Sequence, residues 1–118
     1  MAHMLLIVEP RGQREARTET EGREVYARML AWGDGLRERG LLLASSSLRP
    51  DHSGVRVQTR DGRKSLMDGP FAEAKEMVGG FFLLNCERMQ DAVAIAGECP
   101  AAEWASVEVR ETGPCYVG

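Results

Sequence analysis

Apolar and polar positions repeat along this chain with two different periods. Residues 4–8 and 81–86 are short, nearly continuous apolar runs, typical of strands that are covered on both faces. Residues 21–39 instead follow a helical period. The apolar stripe of that segment comprises Val25, Met29, Trp32 and Leu36. The pattern therefore predicts a buried strand followed by an amphipathic helix, and Gly40 is placed to end the helix.

A β-hairpin is the clearest local structure that the pattern predicts. Residues 55–59 and 64–67 flank Asp61-Gly62, a dipeptide preferred in tight type I′ turns. After the hairpin, Asp68 or Gly69 is placed to cap a two-turn helix over residues 71–77, with Pro70 where a missing N–H costs little. Gly79-Gly80 would break that helix before the strand at 81–86.

Three further segments complete the predicted fold. Residues 41–45 form a strand, residues 89–99 a helix that Pro100 ends, and residues 106–111 a half-buried strand. The inward positions of the last helix are Ala92, Ile95, Ala96 and Cys99. The order is βαβ, hairpin, short helix, βαβ, which predicts one α+β domain over residues 1–118 with a ferredoxin-like arrangement.

Two amphipathic helices can cover only one face of a four- or five-stranded sheet. The strands at 4–8 and 81–84 are nevertheless apolar on both faces, so the second face needs another cover. Closed two-fold dimers are the commonest oligomers. We therefore expect a homodimer that pairs sheet to sheet, the arrangement of a dimeric α+β barrel.

Composition and charge narrow the class of protein. The 118 residues are 43% hydrophobic and 28% charged, which are ordinary globular values, and the net charge of -3 comes with no basic stripe. We therefore expect no nucleic-acid partner and, since no apolar run approaches the length of a span, no membrane partner. An odd number of cysteines, three, and no secretory signal favour a cytoplasmic protein with plain thiols.

The polar residues that follow the hairpin are the first candidates for chemistry. On a short helix, Glu73 and Glu76 would share one face, with Lys75 close by and Asp68 at the start. Carboxylates near a lysine can shift one another's pKa enough for acid/base catalysis. The alternative is structural: Asp68 caps the helix, and the other charges are solvated or form an ion pair that orders the loop.

Two arginines and a histidine are candidates for holding a ligand. Arg56 and Arg110 lie on polar faces of predicted strands and could bind an anionic or aromatic molecule in a dimer cleft, or could pair with acids and fix the dimer register. His3 precedes the first predicted strand and is either a ligand-binding residue or a cloning remnant. His52 lies in a polar loop and is predicted to be solvated.

Several kinds of site lack their sequence signals. The histidines and cysteines are not spaced as metal ligands, and Gly79-Gly80 precedes a strand where a phosphate loop would precede a helix. No Gly-x-Ser-x-Gly elbow occurs. We therefore expect a site that uses no cofactor and no metal.

One string of the chain resembles the DGPF signature of the YCII-related proteins. It consists of Asp68-Gly69-Pro70-Phe71 with the five residues after it, and Gly79-Gly80 follows it. The similarity extends to residues 4–7, 55–57 and 107–110, and so covers most of the chain. It implies a ferredoxin-like dimer with a cleft, but no activity that transfers to this chain. The wider group is associated with a His and Asp pair whose histidine lies in the first helix, and residues 21–39 contain no histidine.

Two functions from different classes fit these features. The first is a homodimer that binds a small organic molecule in a cleft between sheet and helices, with cofactor-free acid/base chemistry. The second is a non-catalytic regulatory or interaction module, which the resemblance allows because DGPF-type proteins are often encoded beside alternative sigma factors. An enzyme should show a concave pocket with carboxylates, whereas an interaction module should expose an apolar patch beyond the dimer face.

Overall fold

The computed structural model of the protein describes residues 2–116 and 118; Met1 and Val117, which belong to the predicted domain, lie outside the described residues. The strands are β1 (His3–Pro10), β2 (Leu42–Ser47), β3 (Val55–Arg60), β4 (Arg63–Asp68), β5 (Glu76–Leu84) and β6 (Ser106–Glu111). The α-helices are α1 (Gln13–Ala16), α2 (Glu19–Glu38) and α3 (Met89–Gly97). Short 3-10 turns occupy Asp51–Ser53 and Pro100–Glu103.

A four-stranded antiparallel sheet organises the molecule, in the order β2-β5-β1-β6. With the hairpin strands β3 and β4 set aside, the two central strands are the first and the third along the chain. The α+β class is thus confirmed, and the order is consistent with a ferredoxin-like fold. A register shift between Ile7 and Val8 marks a bulge in the β1–β5 pairing.

The core lies between one face of this sheet and the helices α2 and α3. Leu5 and Leu84 from the sheet and Leu36 from α2 are almost completely buried there. The helix α3 contributes small side chains, Ala92 and Ala96, which let it lie close to the sheet. Burial alternates along β1, so that successive residues face the core and the opposite side of the sheet.

Both ends of α2 have strong local signals. At the start, Glu21 N donates to Thr18 Oγ1 at 3.1 Å and Thr18 N donates to Glu21 Oε1 at 2.9 Å, forming a capping box. At the end, Gly40 adopts φ 72°, and Leu41 N donates to Leu36 O, which closes a Schellman motif. The predicted helix and its terminating glycine are confirmed, with a start two residues earlier.

The predicted hairpin is confirmed with its turn. Asp61 and Gly62 both have positive φ, 51° and 75°, as a type I′ turn requires. The two strands β3 and β4 form a sheet of their own and do not extend the four-stranded sheet.

The predicted helix over residues 71–77 is wrong. This segment forms a turn, and β5 already begins at Glu76, so Gly79-Gly80 lies inside a strand and breaks no helix. Backbone partners explain the difference: Arg11 N donates to Lys75 O, and Glu76 pairs with Pro10 in the sheet. Asp68 is consequently the last residue of β4 and does not cap a helix.

Candidate functional site

A cleft of about 610 Å³ lies between α2 and the sheet, and we call it the α2 cleft. Its volume falls within the roughly 300–1,000 Å³ of small-molecule sites. The floor is formed by β2 and β5, and one side is formed by α2. Lining residues include Val25, Met29, Leu30, Ser45, Ser46, Phe82 and Trp104.

Small residues make room for this cleft. Gly22 and Gly33 lie on the side of α2 that lines it, and Ser45 and Ser46 occupy the facing strand. A Cβ on Gly33 would lie 3.4 Å from the Phe82 ring, so the helix approaches the sheet closely at this point. The cleft therefore forms where α2 and β2 carry glycine and serine in place of leucine, because these small residues leave space.

A partly buried ion pair lies at the inner surface of the α2 cleft. The Glu9 side chain at the end of β1 is 6% exposed, and Arg14 on α1 donates to it from Nη2 at 2.6 Å and from Nε at 3.0 Å. Arg14 also donates to the carbonyl oxygens of Leu48 at 2.7 Å and Gly79 at 3.3 Å. The guanidinium is thus held by three partners, which fixes the position of the carboxylate.

Close contacts explain why residues 79 and 80 are both glycines. A Cβ on Gly79 would overlap Glu9 Oε1 and lie 2.7 Å from Arg14 Nη2. A Cβ on Gly80 would lie 2.9 Å from the backbone oxygen of Ser46 on the neighbouring strand. The two glycines therefore let a charged pair and a second strand approach the backbone of β5 closely.

Trp104 forms an aromatic wall of the α2 cleft between two cations. The guanidinium carbon of Arg17 lies 5.7 Å from its ring centroid, and that of Arg28 lies 5.4 Å away. Arg28 forms an ion pair with Glu103 at 2.5 Å, which lowers the pKa of that carboxyl through the hydrogen bond. Arg17 donates to Gln13 Oε1 at 3.2 Å.

A second cleft, the loop cleft, lies beside the DGPF segment and has a volume of about 530 Å³. Arg11 and Asp51 form its central contact, a two-pronged ion pair with distances of 2.8 and 2.5 Å. Arg11 Nε donates to Ala74 O at 2.7 Å, and Phe71 N donates to Asp51 Oδ2 at 3.3 Å. The hydrogen bonds from Arg11 are the main cause that lowers the pKa of Asp51 to about 2.

The structure brings together two of the sequence-predicted site residues, Arg56 and Glu73, in an exposed ion pair. The hydrogen bond from Arg56 lowers the pKa of the Glu73 carboxyl. The Arg56 guanidinium also stacks on Phe71, 3.9 Å from the ring centroid. Arg56 and Glu76 line the loop cleft.

The other predicted residues are spread over the molecule. Asp68 and Lys75 are exposed at the two ends of the DGPF segment. Arg110 is exposed on β6, where it donates to Glu108 at 3.2 Å. None of the seven predicted catalytic and ligand-binding residues lines the α2 cleft, and Arg56 and Glu76 are the two that line the loop cleft.

His3 does not precede the first strand but begins it, and its side chain is completely buried. Its Nδ1 lies 2.9 Å from Cys86 O, and since a carbonyl oxygen only accepts, Nδ1 carries the proton. Nε2 has no hydrogen-bond partner among the described residues. His52 lies in the 3-10 turn before β3 and is exposed, as predicted.

Sequence reasoning missed Glu9, Arg14, Trp104 and the Arg11–Asp51 pair. One signal was available for Glu9: it is the acidic residue that directly follows the apolar run of β1, on the same alternating face as Leu5 and Ile7. No such signal exists for its partner Arg14. The position of Gly79 and Gly80 beside Glu9 follows only from the strand register.

Two further features concern the part of the chain that the structure describes: metal sites and membrane-spanning helices. No group of three or more His, Cys, Asp or Glu side chains there is arranged to hold a metal ion. Among the same residues, no helix is long and apolar enough to cross a membrane. The cysteines Cys86, Cys99 and Cys115 are free thiols.

Comparison with known proteins gives a family match. A family model described as the YCII-related domain matches residues 1–114. An uncharacterized protein of Rhizobium meliloti (strain 1021) is 35% identical over 75 residues, which cover 62% of this chain and 60% of that protein. The chain thus matches less than two thirds of the length of this relative.

Proposed function

This chain belongs to the YCII-related family, and from that premise we propose that it binds a small organic molecule in the α2 cleft and performs cofactor-free acid/base chemistry on it. The observation that carries the proposal is a buried carboxylate, Glu9, in the lining of a cleft of ligand size. A carboxylate that is withdrawn from water and held in one orientation can accept a proton from a bound molecule.

Glu9 is the proton acceptor in this proposal, and Arg14 positions it. Among the described contacts, Glu9 Oε1 accepts from both Nε and Nη2 of Arg14, whereas Oε2 accepts only from Nε. Oε2 therefore retains the greater capacity to accept a proton from a bound molecule. Glu9 takes a proton from a carbon or oxygen acid of the ligand, whose electron pair stays on the ligand, and then returns the proton to the ligand, so that Glu9 is ionised again.

We propose further that the working unit is a homodimer. On the face of the sheet opposite the helices, Met4 pairs with Leu83 and Leu6 pairs with Phe81. We call this patch of four residues the open face; its side chains are only half-buried in the single chain. A second copy that packs its own open face there would cover an apolar surface that α2 and α3 do not reach.

A ligand screen followed by amide mapping tests the site. Addition of a bound molecule should shift the NMR signals of Gly33, Gly79 and Ser46. Ser45→Phe places a ring in the α2 cleft and should abolish binding, whereas the matched variant Ser53→Phe alters the loop cleft and should leave binding intact. Shifts confined to Gly54 and Phe71, with Ser53→Phe as the variant that fails to bind, would move the site to the loop cleft.

One observation favours the second candidate, a regulatory or interaction module. The hairpin exposes three apolar side chains on one face, Val55 at 53%, Val57 at 59% and Leu66 at 69%. Such a patch lies outside the open face and suits a protein partner. If Leu66→Lys weakens binding of a purified sigma factor, while ligand binding and dimer mass are unchanged, the interaction module is supported.

A further inference from the structure

More positively charged than negatively charged side chains line the α2 cleft. Three guanidinium groups line it, those of Arg14, Arg17 and Arg37, against two carboxylates, Glu9 and Asp34. Arg14 is paired with Glu9 at 2.6 Å, and Arg37 is paired with Asp34 at 3.0 Å. One cation in the lining, Arg17, therefore has no carboxylate partner within ion-pair distance among the described residues.

The surroundings of Arg17 leave this charge available. Its side chain is half-buried, and its one side-chain hydrogen bond within the described residues goes to the neutral Gln13 Oε1. The hydrogen bonds with Thr18 in the capping box are the main cause that lowers the pKa of the Glu21 carboxyl, and the charge of Arg17 adds a smaller effect. Glu21 does not line the cleft.

Apart from these charges and the serines Ser45, Ser46 and Ser47 of β2, the lining is mainly apolar and aromatic. The Arg17 guanidinium lies over the Trp104 ring, and Val25, Met29 and Phe82 line the same cleft. A planar apolar ligand group fits against these side chains, since aromatic rings pack well against tryptophan and methionine. An anionic substituent on that ligand group would meet Arg17, because the other two arginines of the lining are engaged with acids.

We propose that the ligand of the α2 cleft is an aromatic monocarboxylate, and that Arg17 selects it by pairing with its single negative charge. This inference rests on the proposed function, since it concerns the same cleft. Arg17 acts as a specificity-determining residue and takes no part in proton transfer. A dianion would leave one charge unpaired in the cleft, and a neutral ligand would leave Arg17 without a partner.

The probes are 2-naphthoate and its neutral isostere 2-naphthamide, titrated calorimetrically against the full chain. Wild-type protein should bind the carboxylate about tenfold or more tightly than the amide, because a hydrogen-bonded charge pair contributes that much in a partly shielded site. The preference should shrink as salt is added. Arg17→Gln should remove the preference and leave the amide affinity unchanged, and Arg17→Lys should restore part of it.

The matched control is Arg23→Gln, which removes an arginine of α2 that is exposed, paired with Glu19 and outside the cleft. It should leave both affinities as in the wild type. Equal affinity of the two probes in the wild type, with Ser45→Phe blocking both, would overturn the role of Arg17 and leave the cleft as the binding site. If Ser45→Phe blocks neither probe, or neither probe binds, this inference fails, and NMR mapping with the screened ligand decides separately whether the α2 cleft binds anything.

Discussion

The Glu9 carboxylate occupies the space in which a side chain of residue 79 would begin, because a Cβ on Gly79 would overlap Glu9 Oε1. The two residues lie on neighbouring strands, where Glu9 is paired with Met77 in the register. The glycine and the acid are therefore one steric unit. A charged side chain can be buried against the sheet only because the adjoining strand carries no side chain there.

Gly79→Ala should disrupt this unit. The new methyl group has to displace a carboxylate that Arg14 holds, and Arg14 is itself held by two backbone carbonyls. We expect the free energy of unfolding to fall by about 1–3 kcal/mol, as for other overpacked buried sites. Chemical denaturation monitored by circular dichroism measures this loss.

The control for that substitution is Gly35→Ala on α2, where a Cβ meets nothing within 4 Å. Since alanine is a better helix former than glycine, this variant should gain about 0.5–1 kcal/mol. Equal effects of the two variants would mean that Gly79 has no steric role, and that the close approach of Glu9 does not explain the glycine at this position.

Local signals of the sequence were sufficient for most of the fold. The apolar run at 4–8, the helical stripe ending at Gly40 and the Asp61-Gly62 turn each carry their own information, because helix period, strand alternation and turn chemistry act over a few residues. The confirmed elements are those whose signals are local in this sense.

The segment 71–77 shows why the remainder could not be predicted. Its composition suits a short helix, but its backbone groups are engaged by residues distant in sequence, Arg11 and Asp51. Tertiary partners override local propensity in this way. The α2 cleft could not be predicted from the sequence for the same reason. Glu9, Arg14 and Trp104 belong to no sequence motif, and only folding brings them together.

A dimer through the open face predicts a mass of about twice the 13.0 kDa chain in light scattering. Leu6→Lys places a charge at the centre of that face, opposite Phe81, and should convert the protein to a monomer because a buried unpaired charge is costly. Val93→Lys, on an exposed position of α3, should leave the dimer intact. A monomeric wild-type chain would contradict the sheet-to-sheet arrangement.

Acid should weaken the contact between Arg11 and Asp51. The pKa of Asp51 is about 2 in the folded protein, against an ordinary value of 3.8, so the folded state binds fewer protons than the unfolded state between these values. The pair therefore stabilises the fold fully above about pH 5, and this contribution is lost as the pH falls toward 2. Melting temperatures measured across this range should decline accordingly.

Asp51→Asn isolates that effect. The amide keeps the shape of the side chain and one acceptor oxygen but has no charge to lose, so the variant should melt lower at pH 7 and decline less steeply in acid. If the melting temperatures of the variant and the wild type decline equally as the pH falls, the Arg11–Asp51 pair does not stabilise the loop cleft.

Matched glutamine substitutions at two acids discriminate between the two clefts. Glu9 lines the α2 cleft and is buried, whereas Glu76 lines the loop cleft and is exposed. If Glu9 is the proton acceptor, Glu9→Gln should reduce turnover by about 10²- to 10⁴-fold, the usual contribution of a general base. Affinity for the ligand should change little, because the amide keeps the shape of the carboxylate.

The same substitution should lower the free energy of unfolding by about 1–3 kcal/mol, since Arg14 loses a charged partner but keeps its two carbonyl acceptors. Glu76→Gln should change neither turnover nor stability appreciably, because surface substitutions are usually within about 0.5 kcal/mol of neutral. Turnover is measured with an organic acid found by the ligand screen, at saturating concentration, so that a loss of binding is not mistaken for a loss of chemistry. The opposite result, activity lost with Glu76→Gln and retained with Glu9→Gln, would place the chemistry beside the DGPF segment, where the sequence first indicated it.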